Sequence, residues 1–540
     1  VSGTAESETT STQSEDASRL AVLVAAGALL VVLGGILARP QRLNHDCALY
    51  LQTGELLLRG QRTYVDFRDV NPPMIMYLNV IPALVCRFSP LPPATTFNLL
   101  VWILAVWSAW QTRRLLRLAG ADWERAGSAV VAGLALAQLW VLAVNEWGQR
   151  EHLFACVALP YFALRMARLQ SVTFSRTGPV ILGLVTGVVA CIKPHFVVVL
   201  AGVEAYLVMQ SRRPRTLLQP ETLSLAAAGA AYAAHFAFLN AESREAFFGR
   251  IIPLLTAHYS SVYGIGIAAT LRRPQTLAGL VAAALAFLVP VRGRAQRQLV
   301  RMLGVAGFVA AVMMIQQQKG WTYHSIPGVS SLFCILALLA DQMPRPRLDR
   351  LESVLPGPVI AAAVGCVVLL GRVAVSRSAW RAGEDAFAPT VRDLTRPGDA
   401  VMVLDTSVGA AYPALIQADR LPGSRYLWLF PIPLLFDPRD KSGETADHPY
   451  LAVSASPAEE AHVLEELTED ISTRRPSLIT MQTTGSCYMC PKGFSIEGYL
   501  KARGFVDRSL KDYERRGEAG TQALYLARWA SQRAVAQTGN

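Results

Sequence analysis

The amino-acid sequence predicts an α-helical polytopic membrane protein with about 11 transmembrane helices, juxtamembrane helices and a C-terminal soluble α/β domain. Three observations predict this. Apolar residues come in blocks of roughly 16–20, the helix length that crosses a bilayer core of about 30 Å. The 540 residues are 52% hydrophobic and 17% charged, with mean hydropathy +0.31, whereas soluble domains carry about 25% charged residues. From about Ser376 the charged fraction rises and no apolar block follows.

Residues 1–19 are rich in Ser, Thr and Glu ("VSGTAESETTSTQSEDAS") and are expected to form a disordered cytoplasmic tail. The block 20–38 is too long for a signal-peptide core and lacks a cleavage site, so it reads as a retained span. A polar first external loop occupies 39–93. Spans are then expected at 94–110, 128–144, 153–169, 178–192, 195–209, 221–239, 275–290, 300–316, 324–340 and 355–374, so the membrane region covers 20–375. The segment "MIMYLNVIPALVCRF" (74–88) is apolar but short, and Asn79 and Pro82 interrupt it. It is expected to be juxtamembrane or re-entrant, which is tolerated where protein rather than lipid surrounds the backbone. The alternative is that it spans and a later pair is miscounted.

The net charge of +11 comes largely from arginines grouped in every second inter-span loop: Arg113, Arg114 and Arg117; Arg165, Arg168 and Arg176; Arg212, Arg213 and Arg215; Arg292, Arg294, Arg297 and Arg301; Arg345, Arg347 and Arg350. That alternation marks cytoplasmic loops and orients the chain. It puts the N-terminus inside and everything after about Val375 outside, with a bacterial inner membrane as the expected location. The charge therefore does not imply a nucleic-acid partner, and no nucleic-acid motif is present. Hydropathy does not divide into matching halves, which counts against a two-repeat transporter.

Residues 376–540 are expected to form an extracytoplasmic α/β domain. "DAVMVLD" (399–405) and "PSLITMQ" (476–482) read as buried strands, 455–472 as a helix with an acidic start, and "GFVDRSLKDYERR" with "ALYLARW" as a closing hairpin. Cys487 and Cys490 have C-x-x-C spacing. Outside the cytoplasm a local disulfide is the expectation, since a structural zinc site needs a second pair.

On this topology the non-basic loops all face outward. They include "NEWGQREH" (145–152), "KPH" (193–195) and "QQQKGWTYHSIP" (316–327). Ionisable groups beside a membrane are costly to keep and are functional candidates by default. The first external loop holds Asp46 and then G-x-x-x-Y-x-D-x-x-x-x-N-P-P, formed by Gly60, Tyr64, Asp66, Asn71, Pro72 and Pro73.

This pattern resembles the first external loop of the GT-C glycosyltransferases, which include protein O-mannosyltransferases, the aminoarabinose transferase of lipid A and rhizobial lipopolysaccharide-core transferases. The resemblance implies transfer of a sugar from a polyprenyl-phosphate donor to a glycan, lipid or protein acceptor on the extracytoplasmic face, usually with inversion. Membrane lipids are the other expected partners. Many members carry paired acids at the first position. Here the residues are His45-Asp46-Cys47, so no cofactor is certain and a divalent metal stays open.

Under this reading Asp46 is the candidate base, or else an N-cap. Asp66 is the second catalytic candidate, or else a turn residue. Arg150, Lys193, His195, Lys319 and His324 are candidates to hold the donor's lipid phosphate, whose leaving charge needs fixed cations. Glu151, His152, Tyr64, Trp321 and Tyr323 are candidates for substrate contact. For Arg150 to His152 the alternative is an interfacial ion pair, for Lys193 a snorkelling lysine beside a kink, and for Lys319 to Tyr323 an aromatic belt. No three- or four-ligand metal pattern stands out. The competing functions are an O-antigen ligase or polymerase, a polytopic transporter, and a membrane scaffold.

Overall fold

The computed structural model describes residues 2–342, 368, 370–372, 384–435, 457–483 and 494–530. The expected span at 355–374 lies almost wholly outside the described residues, as do Cys487 and Cys490.

Fifteen helices cover the first part of the chain. They are α1 (Ser2–Ala38), α2 (His45–Leu58), α3 (Met74–Phe88), α4 (Pro93–Arg117), α5 (Ala121–Ala143), α6 (Arg150–Leu169), α7 (Thr177–Ala190), α8 (Phe196–Ser211), α9 (Pro220–Phe238), α10 (Ala241–Arg244), α11 (Ile252–Tyr263), α12 (Ile267–Leu271), α13 (Pro274–Leu288), α14 (Arg294–Gln317) and α15 (Ile326–Ala340). Each expected span from 20–38 to 324–340 coincides with a helix. Among the described residues, five stretches are long and apolar enough to cross a membrane: Ala17–Ala38, Pro93–Arg117, Ala121–Ala143, Arg294–Gln317 and Thr322–Ala340. Helices α3, α7, α8 and α13 are apolar but have 15, 14, 16 and 15 residues. At 1.5 Å per residue they reach roughly 21–24 Å, short of a bilayer core of about 30 Å. The first helix also starts earlier than expected, at Ser2, where a disordered tail is predicted. That stretch has no proline and one glycine, so nothing in it stops a helix extending back from the apolar block.

The chain forms two compact units. The first comprises residues 1–39, 98–238 and 265–381. Within it α1 packs along α5, tied by the Ser18–Ser128 hydroxyl pair (2.8 Å), and Trp102 of α4 donates to Leu29 O (2.9 Å). Small residues let backbones approach, as expected where lipid provides no hydrophobic drive. A Cβ on Gly279 of α13 would lie 2.6 Å from the Gly307 carbonyl oxygen of α14. Arg165, expected in a cytoplasmic loop, is instead 3% exposed within α6. It bonds Glu204 (Nε–Oε1 2.7 Å) and Glu221 (Nη1–Oε1 3.0 Å), and Tyr161 also donates to Glu204 (2.8 Å). Two acids from α8 and α9 make its burial affordable.

The second unit comprises residues 40–97, 239–264 and 382–540. Its sheet has the order β2-β1-β3-β5-β4, with β1 (Ala400–Leu404), β2 (Leu421–Pro422), β3 (Leu478–Gln482), β4 (Tyr513–Ala519) and β5 (Gln522–Ala527). Strand β1 is parallel to β2 and β3, while β3–β5 and β5–β4 are antiparallel. The two buried strands and the closing hairpin fall where the sequence predicts them, and the expected helix is Pro457–Arg474.

The first external loop belongs to this unit rather than to the first. Arg68 forms a two-pronged ion pair with Glu466 of the helix Pro457–Arg474, and Tyr426 donates to the same carboxylate. Trp428 Nε1 donates to Asp69 Oδ1 (3.2 Å), and Asn71 Nδ2 donates to Asp69 Oδ2 (2.7 Å). Asp69 is 1% exposed, so its carboxylate is a fixed joint in this packing.

Candidate functional site

Three turns in the first unit bring its predicted site residues together. The first leads into α6. Asn145 and Gly148 take left-handed backbone angles (φ 60° and 82°), and α6 then opens with Arg150, Glu151 and His152. The second joins α7 to α8. Pro194 interrupts the ladder, Phe196 N donates to Lys193 O (3.0 Å), and Lys193 stays buried. The third follows α14, where Gln318 (φ 53°) and Gly320 (φ 63°) turn the chain into the 3-10 helix Thr322–Ser325. That turn supplies Lys319, Trp321, Tyr323 and His324.

Lys193 Nζ donates to Glu151 Oε1 and lies 4.9 Å from the centre of the Tyr323 ring. Arg150 Cζ lies 5.7 Å from the same ring centre. His324 Nε2 is 3.8 Å from Glu151 Oε1, and the Tyr323 and His324 rings meet edge to face at 4.6 Å. Lys319 Nζ sits 5.1 Å from the Trp321 ring centre, and Trp321 lies 5.5 Å from His324. Lys319, in the turn outside the helices, has its ammonium pKa pushed down to about 7. Burial is the main cause; the charges of Lys193 and Arg150 add to it and Glu151 opposes it. His195 ends the second turn, with its ring 5.1 Å from Phe196.

Arg150, Glu151, Lys193, Tyr323 and His324 are all buried. Arg150, Lys193 and Lys319 gather near the Glu151 carboxylate. Glu151 Oε2 and His324 Nδ1 are buried without a hydrogen-bond partner. Buried polar atoms of this kind call for an explanation, and a polar, anionic ligand would supply one. One turn further along α6 and α15, Phe154, Ala158, Pro327 and Ser331 help line a largely apolar cavity.

His152 stands apart. Its Nδ1 accepts from Gly148 N–H (3.1 Å), so Nε2 carries the proton and donates to Gln138 Oε1. Both ring nitrogens are used and the side chain is fully buried. These two bonds make His152 a joint between the α6 turn and α5. Gln138 gave no sequence signal, because it lies mid-helix in an apolar block.

In the second unit, Asn44 rather than Asp46 caps α2, accepting from Asp46 N (2.9 Å). This removes the N-cap alternative for Asp46. The Asp46 carboxylate lies in the first helical turn, 16% exposed, 3.5 Å from His45 Nε2. Helix N-termini favour such an anion. Asp66 is bound by Arg62 through backbone N (2.7 Å), Nε (3.2 Å) and Nη2 (3.1 Å). Burial raises its pKa, but the Arg62 hydrogen bonds and charge prevail and leave it lowered, which weakens it as a base. Tyr64 is 0% exposed with φ 67°. Its hydroxyl donates to Asn71 O (2.7 Å) and its ring stacks on Phe247 at 4.5 Å. Tyr64, expected as a substrate contact, is packed into the core of the loop. Among the described residues, no group of three or more His, Cys, Asp or Glu could hold a metal ion.

Neither a family model nor a curated protein sequence matches the chain. Solved structures do. ArnT from Cupriavidus metallidurans bound to undecaprenyl phosphate matches with a TM-score of 0.55 at 13% identity, covering 93% of this chain and 97% of that one. The same enzyme in the apo state matches with a TM-score of 0.53 at 12% identity, covering 94% and 98%. The chain has a GT-C fold. Alignment along nearly the full length of both chains agrees with the family that the Asp46 to Pro73 pattern resembles. The GT-C fold accounts for the mixture of several apolar helices with one small sheet. It also agrees with an integral membrane protein.

Proposed function

We propose that this protein is a membrane glycosyltransferase that moves a sugar from a polyprenyl-phosphate-linked donor to an acceptor on the extracytoplasmic face. The observation that carries the reading is the cluster of Arg150, Lys193 and Lys319 around the buried carboxylate of Glu151. Cations held out of water suit a phosphate group, and charge-assisted contacts of this type are about twice as strong as neutral ones. ArnT, whose fold this chain shares, is seen bound to undecaprenyl phosphate. The apolar side chains beside the cluster, among them Phe154, Ala158 and Pro327, suit the first part of a lipid tail.

In the proposed reaction the acceptor hydroxyl attacks the anomeric carbon and its proton passes to the Asp46 carboxylate. The bond between that carbon and the phosphate oxygen breaks, and the polyprenyl phosphate leaves with the electron pair. Arg150, Lys193 and Lys319 stabilise the phosphate as its charge grows. Glu151 holds Lys193 in place, and Trp321 and Tyr323 offer ring faces for a sugar. His195 and His324 complete the phosphate side, and Asp66 fixes the loop through Arg62. The proposed sidedness is a cytoplasmic N-terminus and an extracytoplasmic C-terminal domain in an inner membrane.

The test is sugar transfer from purified polyprenyl-phosphate sugar by the full chain in lipid. Asp46→Asn should keep the melting temperature and lose transfer by about 10²-fold or more. Undiminished transfer by that variant would remove Asp46 as the base.

A further inference from the structure

A second cavity lies within the second unit. It measures about 260 Å³. Helix α2 lines it with Gln52, Glu55 and Arg59, helix α3 with Arg87, and the loop before β2 with Asp419 and Arg420. Arg420 is fully engaged by Thr395 (Nε–Oγ1 and Nη2–O both 2.6 Å) and Ala418. Arg59 and Arg87 are not. Both lean on one carboxylate: Arg59 Nε on Glu55 Oε1 (2.8 Å), and Arg87 Nε and Nη2 on Glu55 Oε2 and Oε1 (3.0 and 3.1 Å). Two guanidinium groups share one negative charge. Both terminal nitrogens of Arg59 and Nη1 of Arg87 make no hydrogen bond among the described residues.

Around α3 from the side that lines the cavity with Ala83, Cys86 and Arg87, the helix has an exposed apolar face. Its other face, with Ile75, Met76 and Ala83, is buried. Ile81, Leu84, Val85 and Phe88 are 61%, 44%, 38% and 81% exposed. Their spacing of i, i+3, i+4 and i+7 makes one continuous stripe. Leu91, just beyond the helix, extends it at 43% exposed. An apolar stripe of this size in water is costly. The helix is too short to cross a bilayer, and its stripe ends at the under-neutralised guanidinium pair. Apolar face and anion-seeking groups in sequence are what an amphiphile presents in reverse.

We infer that this cavity and stripe bind a membrane lipid with an anionic, phosphate-bearing headgroup, Arg59 and Arg87 taking the phosphate and the Ile81–Phe88 face taking the acyl chains. The inference does not rest on the transferase reading. It needs only that the protein sits in a membrane. Arg87, near the C-terminal end of α3, and Arg59, capping the end of α2, are also stabilised there by the helix dipoles, so both cations persist without a ligand.

The experiment uses the full chain in phosphatidylcholine nanodiscs doped with phosphatidylglycerol carrying a photoreactive acyl chain, with matched photoreactive phosphatidylcholine as the comparison. Crosslinks are mapped by mass spectrometry. The anionic probe should label residues 81–91 about fivefold more than the zwitterionic one, and Arg59→Gln/Arg87→Gln should erase that preference. Glu55→Gln separates binding from folding: freeing both guanidinium groups should raise anionic labelling about threefold, whereas a purely structural Glu55 would give a loss. Equal labelling by the two probes, or a preference that survives the double variant, overturns the inference. So does full competition by inorganic phosphate, which would make the ligand a soluble phosphate instead of a lipid.

Discussion

Glu151 and Lys193 form a buried ion pair that joins the first turn of α6 to the break between α7 and α8. The two residues are 42 positions apart. The pair sets the electrostatic balance of the proposed donor site, because Glu151 is the carboxylate near which the cations gather.

Removing that carboxylate alone should be costly. Glu151→Gln removes the carboxylate that Lys193 donates to, and breaking a buried pair costs about 3–5 kcal/mol. We expect a clear drop in melting temperature for Glu151→Gln. The charge-balanced Glu151→Gln/Lys193→Met variant should recover most of it. Thermal unfolding of the two proteins in the same detergent checks this.

His152 should matter for stability and not for ligand. It occupies a buried site and uses both ring nitrogens internally. His152→Ala should destabilise by about 2–4 kcal/mol through the lost hydrogen bonds and the void left behind. Polyprenyl-phosphate affinity per folded molecule should stay within about twofold. Melting curves paired with binding isotherms separate the two effects.

Lys319 should give phosphate binding a pH dependence near neutrality. Its ammonium pKa is held at about 7, so the amine is charged below that pH and loses its charge as pH rises through it. Affinity for a phosphate should fall over the same window. Lys319→Arg stays charged throughout and should show only the ligand's own titration. The difference between wild type and Lys319→Arg, followed from pH 6 to 8, is the readout.

In the second unit Asp405 closes β1 and is 4% exposed. Burial lifts its pKa from 3.8 to about 6, against hydrogen bonds from Ser407, Gln522 and Thr406. A raised folded-state pKa means that its stabilising contribution is complete below about pH 4 and is lost as pH rises through 6. At pH 7 the ionised form costs about 2–3 kcal/mol. Asp405→Asn should therefore raise the melting temperature at pH 7 and change little at pH 4.

The hydropathy blocks of the sequence locate the helices, because a membrane helix announces itself by composition over a long window. The turns at 145–152, 193–195 and 316–327 were legible for the same reason: each is a polar interruption carrying cations. What joins them was not. The Glu151–Lys193 pair, the Gln138 partner of His152 and the Arg165–Glu204–Glu221 network all connect distant helices, and no local spacing encodes them. The Asp46 to Pro73 pattern pointed to the fold. It could not show that Tyr64 faces the core, since that depends on Phe247 packing from elsewhere in the unit. Membership of the first external loop in the same unit as the C-terminal sheet rests on Arg68, Asp69, Trp428 and Glu466. Each of these looks like an ordinary loop or helix-surface residue in sequence.

The most direct measurement is the affinity of the purified full chain for polyprenyl phosphate, compared with the same polyprenol lacking phosphate, for wild type and for the folded Arg150→Gln variant, which removes one positive charge from the cluster. Wild type should strongly prefer the phosphate form, and the variant should lose about tenfold of that preference or more. Equal binding of the alcohol and the phosphate, or an unchanged preference in the variant, would contradict the assignment of this cluster to a lipid-phosphate donor.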